Sequence, residues 1–368
     1  MSAGVAGSGA SVPARTPAHA LAARRARARL GLVALVVLVV ALSILALGAG
    51  AVAIPPGRVV AILRDAATGA GEVATRDALV VTGIRLPRLL MGLLVGAALA
   101  VAGALMQGLF RNPLADPGLV GVSSGAGLAA GVTIVLGERL VPASLGIDPF
   151  ALLPIGAFLG GLASTLVLYA IATRNGRTSI ATMLLAGIAL GALAGAASGV
   201  LAYVSDDRQL RDLTFWSLGS LGGATWAKLA VIAPILLATL AATPILARAL
   251  NALVLGEAEA YHLGIAVERA KAAIVVLVAA AVGASVAAAG VIGFVGIVVP
   301  HLLRLVVGPD HRVLLPASAL LGAGLLVGAD LVARTVVAPA ELPIGIVTAA
   351  IGAPFFLWLL LRRRGLFP

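Results

Sequence analysis

Not one of the 368 residues is cysteine, so a disulfide framework, a thiolate metal site and a cysteine nucleophile are all excluded. Charge is nearly as scarce. Asp, Glu, Lys and Arg together make up 11% of the chain, where soluble domains carry roughly 25%. So few charges cannot clothe a 36.4 kDa body in polar surface. A water-soluble globule is ruled out. Also missing is any GxxxxGK[ST] phosphate loop, so the chain cannot bind and split ATP by that route. No HExxH, GxSxG or paired intramembrane aspartate occurs, which argues against an intramembrane hydrolase. No carboxylate falls in mid-span either, whereas ion-coupled carriers place an ionisable or unwound ion site there. A self-sufficient secondary transporter or channel is the alternative class, and it lacks that signal.

What is present is apolar: 61% hydrophobic residues and a mean hydropathy of +1.12. A spanning helix needs about 20 apolar residues, because the hydrocarbon core is roughly 30 Å thick. Charge-free runs of that order lie at 30–57, 89–110, 117–137, 149–173, 178–205, 229–247, 272–303, 313–329 and 342–361. The run 272–303 is too long for one span and carries Gly290, Gly293, Gly296 and Pro300, which loosen or break helices. It is expected to divide into helices of about 270–289 and 293–307. The short run 213–227 contains Gly219, Gly222 and Gly223 and reads as a re-entrant or interfacial piece. Ten spans result.

An even count puts both termini on one side, and the charges say which. That side collects 16 basic residues, from Arg15 to Arg29 and then Arg111, Arg174, Arg177, Arg248, Arg269, Lys271, Arg304, Arg312 and Arg362–Arg364. Five acids oppose them: Asp116, Glu257, Glu259, Glu268 and Asp310. The whole net charge of +11 therefore lies there, and the other side sums to zero. The positive-inside rule makes the basic side cytoplasmic. Residues 1–29, rich in Ala, Arg, Ser and Gly, read as a disordered basic cytoplasmic tail, with 30–364 as a single membrane domain. The basic excess is a topology signal, and no nucleic-acid partner is expected.

Residues 95–104 (VGAALAVAGA) and 282–291 (VGASVAAAGV) agree at six of ten positions. The match pairs the second span with the seventh and implies two five-helix halves of opposite orientation, the inverted repeat common in transporters.

The stretch RLPRLLMGLLVGAALAVAGALMQGLFRNPLADPGLVGVSSGAG (85–127) resembles the hallmark of FecCD-type permeases, as do VIGFVGIVVPHLLRLVVGPDHR (291–312) and AELPIGIVTAAIGAPFFLWLLLRR (340–363). These are the membrane subunits of ATP-driven importers for ferric siderophores, haem and cobalamin. The resemblance implies the all-α, ten-helix fold of type II ABC importer permeases, in the bacterial inner membrane. It implies a homodimer served by two cytoplasmic ABC ATPase subunits and a periplasmic substrate-binding protein. No cofactor is expected on this chain; ATP and Mg belong to the partner ATPase.

Site residues follow by matching the family's motifs. The segment LGEAEAYHLGI (255–265) is similar to the coupling segment, with Gly256, Glu257, Ala260, Leu263 and Gly264 in the pattern. Arg85, Arg88 and Arg334 match arginines that face acidic residues of the binding protein. Arginine suits that task because its planar fork grips a carboxylate bidentately. Arg174, Asn175 and Gly176 fall in the loop that helps form the inner gate. The Gly/Ala/Ser-rich span 183–200 is expected to line the pathway through Gly187, Gly191, Gly195 and Ser198, small side chains that let a bulky ligand pass without holding it. NPLADPG (112–118) reads as a rigid turn or as an addition to the ATPase contact. His19, His262 and His311 lie outside the spans and His301 sits in a motif shared across cargoes, so no haem ligand is evident. The segment 206–226 resembles the haem-importing branch more than the cobalamin branch. Haem is the favoured cargo, a ferric siderophore next, cobalamin last.

Overall fold

The structure is a computed structural model that describes residues 17–363 except 51, 70–74, 143, 145 and 147–148. It is almost wholly helical. In chain order the helices are α1 (Pro17–Gly48), α2 (Pro56–Thr68), α3 (Arg76–Leu79), α4 (Leu86–Leu109), α5 (Val122–Leu140), α6 (Leu153–Ala172) and α7 (Ile180–Val204). Then come α8 (Asp207–Ser217), α9 (Trp226–Leu253), α10 (Glu257–His262), α11 (Val267–Ala289), α12 (Val295–Val307), α13 (His311–Ala333) and α14 (Ile344–Arg363). A π-helical turn, Val80–Arg85, welds α3 to α4.

Each of the ten expected spans contains a helix, although the first, 30–57, is helical only to Gly48 before α2 begins at Pro56, and the break in the long run falls between Ala289 and Val295, where its glycines lie. Gly290 (φ +72°) and Phe294 (φ +69°) both adopt left-handed backbone there. Among the described residues seven helices are long and apolar enough to cross a membrane. The other three expected spans are shorter or less apolar: α12 is cut short by that break, Ile344–Trp358 is the apolar part of α14, and α5 ends in Glu138 and Arg139. Two expectations are corrected. The helix begins at Pro17, so 17–29 extend α1 rather than forming a tail, as Ala- and Arg-rich sequence favours; 1–16 lie outside the described residues. The run 213–227 is not one piece. Its first part completes α8, a polar helix with an Asp206–Gln209 capping box and no buried residue. Its second part is a loop that folds inward and buries Leu221.

The centre of the bundle is α4. Of its most apolar stretch 83% is buried, against 17% for α7, so α4 is a hub and α7 a wall. Around α4 pack α9, α11, α12 and α13; α5 pairs with α6, and α7 leans on both. Close approach is achieved by glycine. A Cβ on Gly103 would overlap the carbonyl oxygen of Gly296, and one on Gly96 that of Gly322, so α12 and α13 meet the hub backbone to backbone. The two segments of the expected internal repeat fall in α4 and α11, which touch and are both mostly buried.

Contacts sort the loops into two faces. On one, the 173–178 hairpin meets the start of α11, and Asn251 bonds Asp310 and His311. On the other, the end of α1, residues 85–88, 218–220, 289 and 330–345 come together. The first group falls among residues that the charge count assigns to the basic side and the second among those it assigns to the other.

Candidate functional site

On the first face lies a short helix between two turns. Gly256 (φ +130°) and Gly264 (φ +80°) bracket α10 in backbone conformations that L side chains rarely adopt. Ala260 is fully buried against the bundle, and the Ile265 amide donates to its carbonyl (3.0 Å), which folds the exit of α10 back on itself. Facing outward are Leu255 (64% exposed), Tyr261 (71%) and Leu263 (55%). Large apolar side chains beside a charged surface mark an interaction site. All five residues of the expected coupling set fall in this element.

Lys271, which the motif reading did not single out, holds the element in place. Its Nζ is buried and donates to Glu257 Oε2 (2.7 Å), Glu268 Oε1 (3.0 Å) and the Thr178 carbonyl (3.0 Å). Glu268 Oε2 in turn accepts from the Thr178 amide (2.9 Å). One ammonium thus ties α10, α11 and the 173–178 segment together. That segment is a β-hairpin, β1 (Thr173–Arg174) with β2 (Arg177–Thr178), turned by Asn175 (φ +51°) and Gly176 (φ +72°). Asn-Gly favours such a type I′ turn. The expected gate residues Arg174, Asn175 and Gly176 therefore form the end of a hairpin tied through Lys271 to α10. A cleft of about 690 Å³, lined by Arg177, Glu257, Tyr261, His262, Glu268 and Arg269, opens beside it. Nearby, Asp310 accepts from the Arg312 amide and Asn251 Nδ2. Partial burial opposes its ionisation, but these bonds win and hold its carboxyl below the usual range.

The opposite face carries the expected docking arginines, and here the structure differs from the expectation. Arg85, Arg88 and Arg334 are buried (6, 9 and 8% exposed) and engaged within the chain. Arg88 donates to Asp330 Oδ1 (2.9 Å) and Glu341 Oε1 (2.8 Å), joining α4, α13 and the entry to α14. Arg85 donates to the Leu47 and Gly48 carbonyls (2.7 and 2.9 Å) and to that of Val52. Arg334 donates to the Ala46 carbonyl and lies 3.7 Å from Asp330. The physical reason is local. The last turn of α1 ends in carbonyls with no intrahelical partner, and two buried cations satisfy them. Only Glu341 of this cluster offers an exposed edge; the Arg88 hydrogen bond, against some desolvation, keeps its carboxyl below the ordinary value.

Beside the clasp, the 218–220 loop stitches two helix ends: Ser220 N to Ala289 O (2.8 Å), Ile344 N to Gly219 O (3.0 Å) and Gly345 N to Leu218 O (2.9 Å). A cavity of about 300 Å³ lies there, lined by Phe150, Asp212, Phe215, Trp216 and Lys228.

The four residues expected to line a pathway do not share one exposed surface. Gly187 is buried, Gly191 approaches Ser124 of α5 (3.5 Å from a Cβ built on it), Ser198 is half-buried, and only Gly195 faces open space. The open side of α7 instead carries Leu185, Ile188, Leu193, Val200 and Tyr203.

A polytopic bundle with a glycine-bracketed helix on one face and a fused cation–carboxylate cluster on the other is the setting in which sequence comparison becomes decisive. Residues 36–362 match the model of the FecCD transport family. The chain belongs to the FecCD family. Among its FecCD relatives, the hemin transport system permease protein HmuU of Yersinia pestis is 50% identical over 303 residues, covering 80% of this chain and 87% of the relative. The cobalamin import system permease protein BtuC of Halobacterium salinarum is 46% identical over 285 residues, 77% of this chain and 74% of the relative. The vitamin B12 import system permease protein BtuC of Klebsiella pneumoniae is 45% identical over 294 residues, 80% and 86% of the two chains. A solved structure, an inward-facing conformation of a metal-chelate type ABC transporter, superposes with a TM-score of 0.77 at 32% identity, covering 90% of this FecCD chain and 98% of that one.

Proposed function

We propose that this chain is the membrane-spanning permease of an ATP-binding-cassette importer and that its cargo is haem. The observation that carries the cargo assignment is the 50% identity to a hemin permease, against 45–46% to the cobalamin permeases. The outer cavity supports it: an aromatic floor (Phe150, Phe215, Trp216) with the Lys228 ammonium at its edge suits a planar macrocycle bearing carboxylates. In this reading α10 seats on a cytoplasmic ATPase, which supplies ATP and Mg, and its movement reaches the pathway through Lys271 and the hairpin. The functional unit is a homodimer with two ATPase subunits. The exposed apolar wall of α7 supports a partner there, since lipid or a second copy must cover it. A binding protein docks at the clasp face, where Glu341 is the exposed edge and Arg85, Arg88 and Arg334 shape the surface from beneath. The basic excess supports an inner-membrane orientation with both termini and α10 in the cytoplasm.

The test is reconstitution of the full complex in liposomes with haem, a ferric siderophore and cobalamin in competition. Haem is expected to accumulate inside in an ATP-dependent manner and to be displaced poorly by the other two. Preferential uptake of cobalamin or siderophore would overturn the cargo assignment, and uptake by the permease without any ATPase would overturn the importer assignment itself.

A further inference from the structure

On the α10 face, α9 and α13 both contain a proline at matching depth, Pro244 and Pro316, and both prolines are exposed. Proline removes an i→i−4 hydrogen bond and its ring displaces the preceding turn, so helices bend away at such points. Between the two lies a groove of about 550 Å³ with the hub residue Val101 at its back and Leu240, Thr243, Ala247, Leu315 and Ala319 along its walls. Thr243 spends its hydroxyl proton on the Leu240 carbonyl (2.8 Å), so these walls offer no free donor to a ligand. Ile245, next in sequence to the lining Pro244, is 79% exposed, as a side chain facing hydrocarbon would be. The loop end of the groove is different. Arg312 lines the mouth, and Arg248 follows the lining residue Ala247. Neither arginine has a carboxylate within 4 Å among the described residues; Asp310, two positions before Arg312, acts on it only through space, its oxygen already accepting from Asn251 Nδ2 and the Arg312 amide. His311 is buried behind the mouth, donating from Nδ1 to Asn251 Oδ1 with its unpartnered Nε2 turned towards Gly108 of α4.

We propose that this groove between α9 and α13 binds an anionic phospholipid of the leaflet on the α10 face, with an acyl chain along the proline-opened walls and the phosphate on Arg312 and Arg248. Basic pockets between helices at a membrane surface select anionic headgroups, and alkyl burial holds the chain. The site is independent of the cargo.

The test is native mass spectrometry of the delipidated full-length chain in neutral detergent, titrated with phosphatidylglycerol, with phosphatidylcholine of the same acyl chains, and with oleate. Phosphatidylglycerol is expected to bind more tightly than phosphatidylcholine, each arginine contributing about fivefold at low ionic strength. Arg312→Ala and Arg248→Ala should each lose about that factor for phosphatidylglycerol alone. Ala319→Trp, which fills the groove, should weaken both phospholipids, and Arg64→Ala, an exposed arginine on the other face, should change neither. Equal binding of the two phospholipids, or a preference that survives both arginine variants, would overturn the proposal. Oleate binding as tightly as phosphatidylglycerol would overturn the assignment to a phospholipid. Arg312→Ala keeps the core intact and decides the matter should the tryptophan variant fail to fold.

Discussion

Replacing Lys271 by methionine keeps most of the side-chain volume and removes the ammonium that joins α10, α11 and the 173–178 hairpin. Breaking a fully buried ion pair costs about 3–5 kcal/mol, and an exposed one about 0–1. This cluster sits between those limits, because the ammonium is buried while Glu257 and Glu268 are 41 and 35% exposed and rehydrate once it is gone. About 2 kcal/mol is therefore expected, roughly a thirtyfold shift towards an undocked hairpin. The loss falls on the connection between α10 and the bundle and leaves the outward apolar side chains of α10 untouched. In the reconstituted complex, ATP hydrolysis should persist while transport per ATP hydrolysed drops about tenfold or more. Combining Lys271→Met with Glu257→Gln should cost less than the sum of the two, since they share one interaction. Unchanged transport per ATP in Lys271→Met, with the protein folded, refutes the argument that this cation transmits movement.

Gly264→Leu tests the same element by a different route: nothing crowds a Cβ there, but φ is +80°, and left-handed backbone costs an L residue about 1–2 kcal/mol, so uptake should uncouple from hydrolysis in the transport assay while expression stays normal. Glu341 is held below its ordinary carboxylate value by Arg88, so the stability it confers is fully present above about pH 4.3 and is lost as pH falls further through the folded-state value. Thermal denaturation in detergent from pH 7 to 3 should show that loss in the parent, and Glu341→Gln should flatten the slope. Gly103→Ala should destabilise by about 1–3 kcal/mol because its Cβ meets the Gly296 carbonyl, whereas Gly195→Ala, in open space, should be neutral or slightly stabilising; equal melting temperatures for the two would sink the close-approach argument.

The spans were legible because bilayer thickness fixes helix length and water forbids charge in the core. The break at Gly290–Phe294 was legible because glycine marks it. The arginine clasp was not. Arg88 meets carboxylates 242 and 253 positions away, and an arginine at a span end looks the same in sequence whether it faces a partner or another helix. Asp330 and Glu341, visible at span ends on the same side, were the available signal. The exposed face of α7 was hidden for a different reason: the helix is apolar all round, so no polar stripe betrays its orientation. Lys271 was concealed among the ordinary charges that precede a span, Glu268 and Arg269 beside it, and nothing in that cluster distinguishes the one ammonium that folds inward.

Where α12 and α13 touch the hub through bare glycine, carbonyl oxygens occupy the space that side chains would fill elsewhere. Such contacts leave no room for a side chain at Gly96, Gly103, Gly296 or Gly322, so these three helices are locked at backbone distance. The consequence is an uneven molecule, rigid where α4, α12 and α13 share bare backbone and free to yield where the sparsely covered helices α1 and α7 lie outside.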